Sequence, residues 1–173
     1  NALEQIRFQV SFACTFAFGQ QDLMSGSSKI VGLIRQDEAL HCGITQNLLK
    51  YLPQDDEDFI RIAEEERAIA KEIYLDVHKQ EKEWVDFLFQ EGPIFGLTPE
   101  ELKLYLDWLV DNRMQHFGLE SDIVAPKKKP LPWLRRWEDG KSDQVAPQES
   151  EIISYQVGNV DMNISNDSID FDF

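Results

Sequence analysis

At 173 residues, with 42% hydrophobic and 11% aromatic side chains, the chain can bury one core and carry at most a tail besides, which excludes wholesale disorder. Seventeen Lys and Arg against 32 Asp and Glu leave a net charge of −15, so the surface as a whole repels phosphate backbones and nucleic-acid binding is disfavoured. Cys14 and Cys42 lie in apolar helical stretches outside any CxxC spacing, no run of 18 apolar residues occurs and no charged leader precedes one, so zinc sites, disulfide scaffolds, membrane insertion and secretion are unsupported and a reduced, cytoplasmic protein is expected.

The chain starts in helical register, Asn1-Ala2-Leu3-Glu4, with no Met and no capping approach, and so reads like the second half of something longer. From Asn1 to about Met24 the apolar residues leave hardly any polar face, which predicts a helix buried on most sides and ended at Ser25-Gly26. A second helix is expected from about Ser28 to Tyr51, with Ile30, Ile34, Leu40 and Leu48 on one broad stripe and Pro53 as its stop. A third, amphipathic and outer, is expected from about Asp55 to Glu91, turning Phe59, Ile62, Ile69, Ile73, Val77, Trp84 and Leu88 inward and closed by Gly92-Pro93. The fourth has the clearest boundary: Thr98 as N-cap, Pro99 in the first turn, Glu101 at the capping-box position, then Leu102, Tyr105, Leu106, Leu109 and Phe117 facing inward before Gly118.

Beyond Gly118 the composition changes. The prolines of Ala125-Pro126-Lys127-Lys128-Lys129-Pro130-Leu131-Pro132 forbid a continuing helix, and from Glu138 to Phe173 nine acids face one base, Lys141. The chain is therefore expected to be all-α over 1–120, with a Pro/basic connector over 121–137 and a flexible acidic tail over 138–173. Lys127, Lys128, Lys129, Arg135 and Arg136 form its positive cluster, an exposed counterweight to the acidic surface more readily than a phosphate site.

Two features carry chemistry. Glu4 sits in a helix with almost no polar face, where an ionised carboxylate is costly unless a cation or donors meet it. On the next helix Glu38-x-x-His41 places a carboxylate and an imidazole on one face, close enough to reach one metal. In four-helix bundles a carboxylate-bridged metal pair takes one Glu from each of two helices and one Glu-x-x-His from each of the other two. One of each is present here; the residues three before His78 and His116 are Leu75 and Arg113, so the sequence contains half such a site. A lone Glu-x-x-His also arises by chance in acidic chains, core hydroxyls or amides could satisfy Glu4, and His41 could be an ordinary buried histidine.

Three separated stretches in order, Asn1-Ala-Leu-Glu4 through Ser11-Phe-Ala-Cys14, Arg35-Gln-Asp-Glu-Ala-Leu-His41, and Val145-Ala-Pro-Gln-Glu-x-Glu-x-x-Ser-Tyr155, closely resemble the C-terminal half of the small (beta) subunit of class I ribonucleotide reductase. The resemblance covers essentially the whole chain and implies a ferritin-like helical bundle, partial here. It implies that Glu4, Glu38 and His41 are ligands of a di-iron centre, with manganese also acceptable to such donors, whose other ligands and radical-bearing tyrosine belong to an N-terminal half outside this chain. It further implies that Phe8, Phe12 and Ile34 line the radical's pocket, although plain core packing accounts for any one of them as well. Asp37 matches an acidic residue linking the metal site to the radical-transfer route, with Gln36 standing where the family often has Arg. Tyr155 matches the relay tyrosine between subunits, with Glu149 as its proton partner, and Ile169, Phe171 and Phe173 are the apolar hooks of a tail that docks on the large (alpha) subunit. The expected function is the small-subunit part of ribonucleoside-diphosphate reductase, working as a homodimer in deoxyribonucleotide synthesis. The rival expectations are an inert fragment that only binds the large subunit, and a homodimeric ferritin-like oxygenase or iron-storage protein whose two copies each donate half a site.

Overall fold

The computed structural model describes residues 1–138. A π-helical turn over Leu3–Arg7 runs directly into α1 (Phe8–Gln20), followed by α2 (Ser25–Asp55), α3 (Glu57–Glu65), α4 (Arg67–Leu88), α5 (Pro99–His116), a 3-10 turn over Pro132–Leu134 and a short α6 (Arg135–Glu138). No strand occurs among the described residues, so the all-α expectation holds for them.

The core gathers around α1, as its missing polar face predicts. Ile6, Val10, Ala13, Phe16 and Ala17 are buried together with Val77 and Val85 of α4, and with Leu102, Tyr105, Leu106, Leu109, Val110 and Met114 of α5. Trp137 closes this core from the far end by stacking on Phe16, centroids 5.0 Å apart and planes 9° from parallel. Glu138 beside it takes an ion pair from Arg35 at 3.0 Å and another from Lys129, whose ammonium also sits over the Trp108 ring. Lys129 of the basic cluster is thus a local partner of Glu138 as well as part of a general counterweight.

The clearest sequence boundary is also the best-formed one. Thr98 Oγ1 accepts from the Glu101 amide at 3.2 Å, and the Glu101 carboxylate accepts from the Thr98 amide at 3.1 Å, so two otherwise orphaned donors at the start of α5 are satisfied reciprocally. At the other end Gly118 takes φ +65°, and the Leu119 and Gly118 amides return to the Met114 and Gln115 carbonyls, a Schellman closure that needs this glycine. Thr98→Ala is expected to lower stability by about 1 kcal/mol, read as a lower urea midpoint at unchanged slope; an unmoved midpoint would show that the cap contributes nothing.

Other boundaries differ from expectation. The first helix stops at Gln20, because Asp22 and Met24 adopt left-handed φ of 56° and 52°, and Ser25-Gly26 opens α2 where an end was expected. Pro53 does not stop α2, which continues to Asp55: so close to the C-terminus the ring removes a single amide, and Asp56 N still reaches the Leu52 carbonyl at 3.2 Å. The long third helix is two, broken at Glu66 (φ −89°, ψ 2°), although the 2.9 Å bonds from Glu66 N to Ile62 O and from Ala70 N to Glu66 O run on through the bend.

The stripes differ more. Ile30, Ile34, Leu40 and Leu48 of α2 are exposed, as are Phe59, Ile62, Ile69, Ile73 and Trp84 of α3 and α4, while Val77 is buried. Phe117, expected inside, is half-buried. Apolar periodicity marks the surface that wants cover, and the described residues cover only part of it. No helix among the described residues is long and apolar enough to cross a membrane.

Candidate metal centre

Glu4 lies in the π-helical turn, Glu38 and His41 in the middle of α2. One donor atom of each falls within 4.8 Å of the others, the only such His/Cys/Asp/Glu group of three among the described residues. His41 Nδ1 stands between the carboxylates, 3.2 Å from Glu38 Oε2 and 3.6 Å from Glu4 Oε1. Ligands of one first-row ion at bonds of about 2.0–2.2 Å lie up to about 4.4 Å apart, so the group needs only a slight inward turn to share an ion. Two carboxylates and an imidazole form a hard to borderline donor set that suits iron or manganese.

The centre is open on one side. The Glu38 side chain is 15% exposed and that of Glu4 24%, but His41 is 54% exposed. The donor that meets the Glu4 carboxylate is the Cys42 thiol, whose Sγ donates to Glu4 Oε2 at 3.3 Å, with the His41 imidazole next to it. Burial raises the Cys42 pKa above its usual value, more than its hydrogen bonds change it, which keeps the proton on sulfur and the thiol a donor. Cys42 was missed as a site residue, yet its signal was present: it stands four residues after Glu38 on the same helix face. Both cysteines are free, as their spacing predicted.

Phe8, Phe12 and Phe16 step along α1 with centroids 5.8 and 6.3 Å apart. Phe8 and Phe12, two of the three residues expected to line a pocket, are half-buried. Ile34, the third, is 40% exposed among the described residues. Asp37 is half-buried. His78 stays apart from the group; its Nε2 meets Asp107 of α5 at 2.6 Å, and burial lowers its pKa more than Asp107 raises it. Glu149, Tyr155, Ile169, Phe171 and Phe173 lie outside the described residues.

Residues 1–125 match the family model described as ribonucleotide reductase, small chain. The chain belongs to that family. It is 42% identical over 171 residues to the ribonucleoside-diphosphate reductase 1 subunit beta of Salmonella typhimurium, covering 98% of this chain and 45% of that protein. Against the subunit beta of Enterobacteria phage T4 it is 39% identical over 170 residues, 96% of this chain and 44% of the other. A crystal structure from Bacillus halodurans assigned to class I ribonucleotide reductase superposes with a TM-score of 0.68 at 24% identity, over 79% of this chain and 48% of that one. The fold is therefore the ferritin-like helical one. The chain spans about half the length of the curated relatives that it matches.

Proposed function

We propose that this chain is the C-terminal half of the radical-generating small subunit of ribonucleoside-diphosphate reductase, supplying half of a two-metal centre that an N-terminal half completes. The observation that carries this reading is the convergence of Glu4, Glu38 and His41, two carboxylates and an imidazole from two helices, within 4.8 Å. Bound there, a pair of irons, or manganese, would supply one-electron and dioxygen chemistry that protein side chains lack. The chain's own residues have narrower tasks. Glu4 and Glu38 offer charge to neutralise the cations, and His41 presents Nδ1 toward the same point. Phe8 and Phe12, with Ile34 once it is covered, keep water from the neighbouring oxidised side chain.

Asp37, next to Glu38, links the centre to the transfer route by a hydrogen bond. Tyr155, with Glu149 as its proton partner, relays the radical equivalent onward, and Ile169, Phe171 and Phe173 dock the acidic tail on the large subunit, where ribonucleotides become deoxyribonucleotides. The exposed apolar residues of α2, Ile30, Ile34, Leu40 and Leu48, support the N-terminal half as the missing cover, since they lie on the helix that carries Glu38 and His41. The assembly works as a small-subunit homodimer, and two free, buried cysteines fit a cytoplasmic setting.

The test is metal content. Mixed with a separately produced N-terminal half of a small subunit, the chain is expected to hold two irons per pair by elemental analysis, and Glu4→Gln or His41→Ala to lower that content by tenfold or more. Absence of iron under every mixing condition would leave the inert-fragment reading, while two irons in a pure homodimer of this chain would favour the oxygenase or storage reading.

A further inference from the structure

Glu4 is held in a turn of unusual geometry, and one of the contacts that hold that turn runs to a carboxylate to which the family reading gives no task. The π-helical turn Leu3–Arg7 carries Glu4 near its start and Arg7 at its end. Such wide turns are less favourable than the α-helix and persist where their surroundings fix them. Here three contacts do so. The buried Gln9 amide donates to the Glu4 carbonyl at 3.1 Å. The Cys42 thiol donates to the Glu4 carboxylate at 3.3 Å. The Arg7 guanidinium crosses to α4, where it donates to Gln80 Oε1 and stands 3.8 Å from Glu81 Oε1.

Glu81 is the unexpected member. It is 5% exposed, its Oε2 has no hydrogen-bond partner among the described residues, and burial pushes its carboxyl up to about 7. A buried, under-satisfied acid weakens a helix interface unless its charge has a use, because an apolar side chain would pack there at lower cost. Its one ionic contact among the described residues is Arg7. From sequence Glu81 is indistinguishable from a solvated run, lying between Lys79, Lys82 and Glu83.

We propose that Glu81 is a positioning residue of the metal centre: through Arg7 it anchors the π-helical turn to α4 and thereby aims the Glu4 carboxylate at Glu38 and His41. Glu81 touches neither metal donors nor reacting atoms. It acts through the backbone register of the turn, in which a shift of one hydrogen-bond step toward α-helical winding would rotate Glu4 away from His41.

The test uses the full chain with Glu81→Gln, Arg7→Gln and the double variant, and two readouts that a merely structural role would leave unmoved. The first is the infrared S–H stretching band of Cys42, identified by its loss in Cys42→Ala, which reports the bond to Glu4 directly. The second is the Mn(II) affinity of the chain mixed with the N-terminal half of a small subunit, from the disappearance of the free-ion magnetic resonance signal. With helical circular dichroism retained, each single variant is expected to move the thiol band toward the free-thiol position and to weaken Mn(II) binding by about tenfold, the scale of lost support behind a metal ligand. The double variant should lose no more than either single one, because the pair acts as a unit. A thiol band unmoved by Glu81→Gln overturns the proposal, as does a double variant whose losses multiply. The inference rests on the metal-centre reading for its purpose, but the two fail separately: a wild-type chain that binds no Mn(II) even when the N-terminal half is present counts against the metal reading, while the thiol band still decides whether Glu81 positions Glu4.

Discussion

Gly19→Ala is expected to destabilise the chain by about 2 kcal/mol, seen as a fall of several degrees in the thermal unfolding midpoint followed by circular dichroism. A Cβ at this position would lie 2.5 Å from Ser28 Oγ, 2.7 Å from Ser28 Cβ and 2.7 Å from Cη2 of Trp137. None of these can swing aside. Ser28 is fully buried, with its hydroxyl donating to the Thr15 carbonyl at 3.1 Å, and the Trp137 ring is stacked on Phe16. A methyl group there pushes α1 from α2 and unseats α6 together. The conformational gain that alanine brings to a helix, roughly 1 kcal/mol against glycine, offsets only part of that. Gly26→Ala is the matched control, since nothing lies within 4 Å of its Cβ position, and it should leave the midpoint level or slightly raised. A Gly19→Ala chain that melts no lower than wild type would refute the close α1–α2 contact.

Glu81→Gln is expected to stabilise the chain at pH 8 and to leave it unchanged near pH 4. The folded-state value, about 7, lies above the ordinary 4.5, with desolvation as the main cause and Arg7 opposing it. The folded chain therefore keeps a proton that the unfolded chain has released between those values. Stability from this group is fully present below pH 4.5 and is lost as the pH rises through 7. The full difference is about 3 kcal/mol at roughly 1.4 kcal/mol per unit. Glutamine, which has no charge to desolvate, removes that slope. The measurement is the difference in urea-unfolding free energy between variant and wild type across pH 4 to 8, in which contributions from the other acids cancel. A difference that does not grow with pH would show that Glu81 is not desolvated in the folded state. The same variant is expected to loosen the Glu4 turn, so stability should rise while Mn(II) affinity falls, a separation that damage to the fold does not produce.

How much was legible depends on whether the signal was local. The capping box of Thr98 and Glu101, the left-handed Gly118 and the all-round apolar character of α1 were readable because each is fixed within a few residues. So was Glu38-x-x-His41, since three residues on a helix set two side chains on one face. The stripes of α2, α3 and α4 were legible as periodicity but misleading as burial, because periodicity does not say whether the covering surface belongs to the same chain.

By itself, then, the sequence determined that the chain is helical, marked Glu4, Glu38 and His41 as its candidate metal ligands, and carried the likeness to ribonucleotide reductase small chains. Only the tertiary structure decided that the Cys42 thiol meets Glu4, that Arg7 reaches across to a buried Glu81, and that Trp137 closes the core over Phe16. Each of these joins residues at least 38 positions apart. Such contacts are set by how helices pack, through long-range geometry that no local spacing encodes.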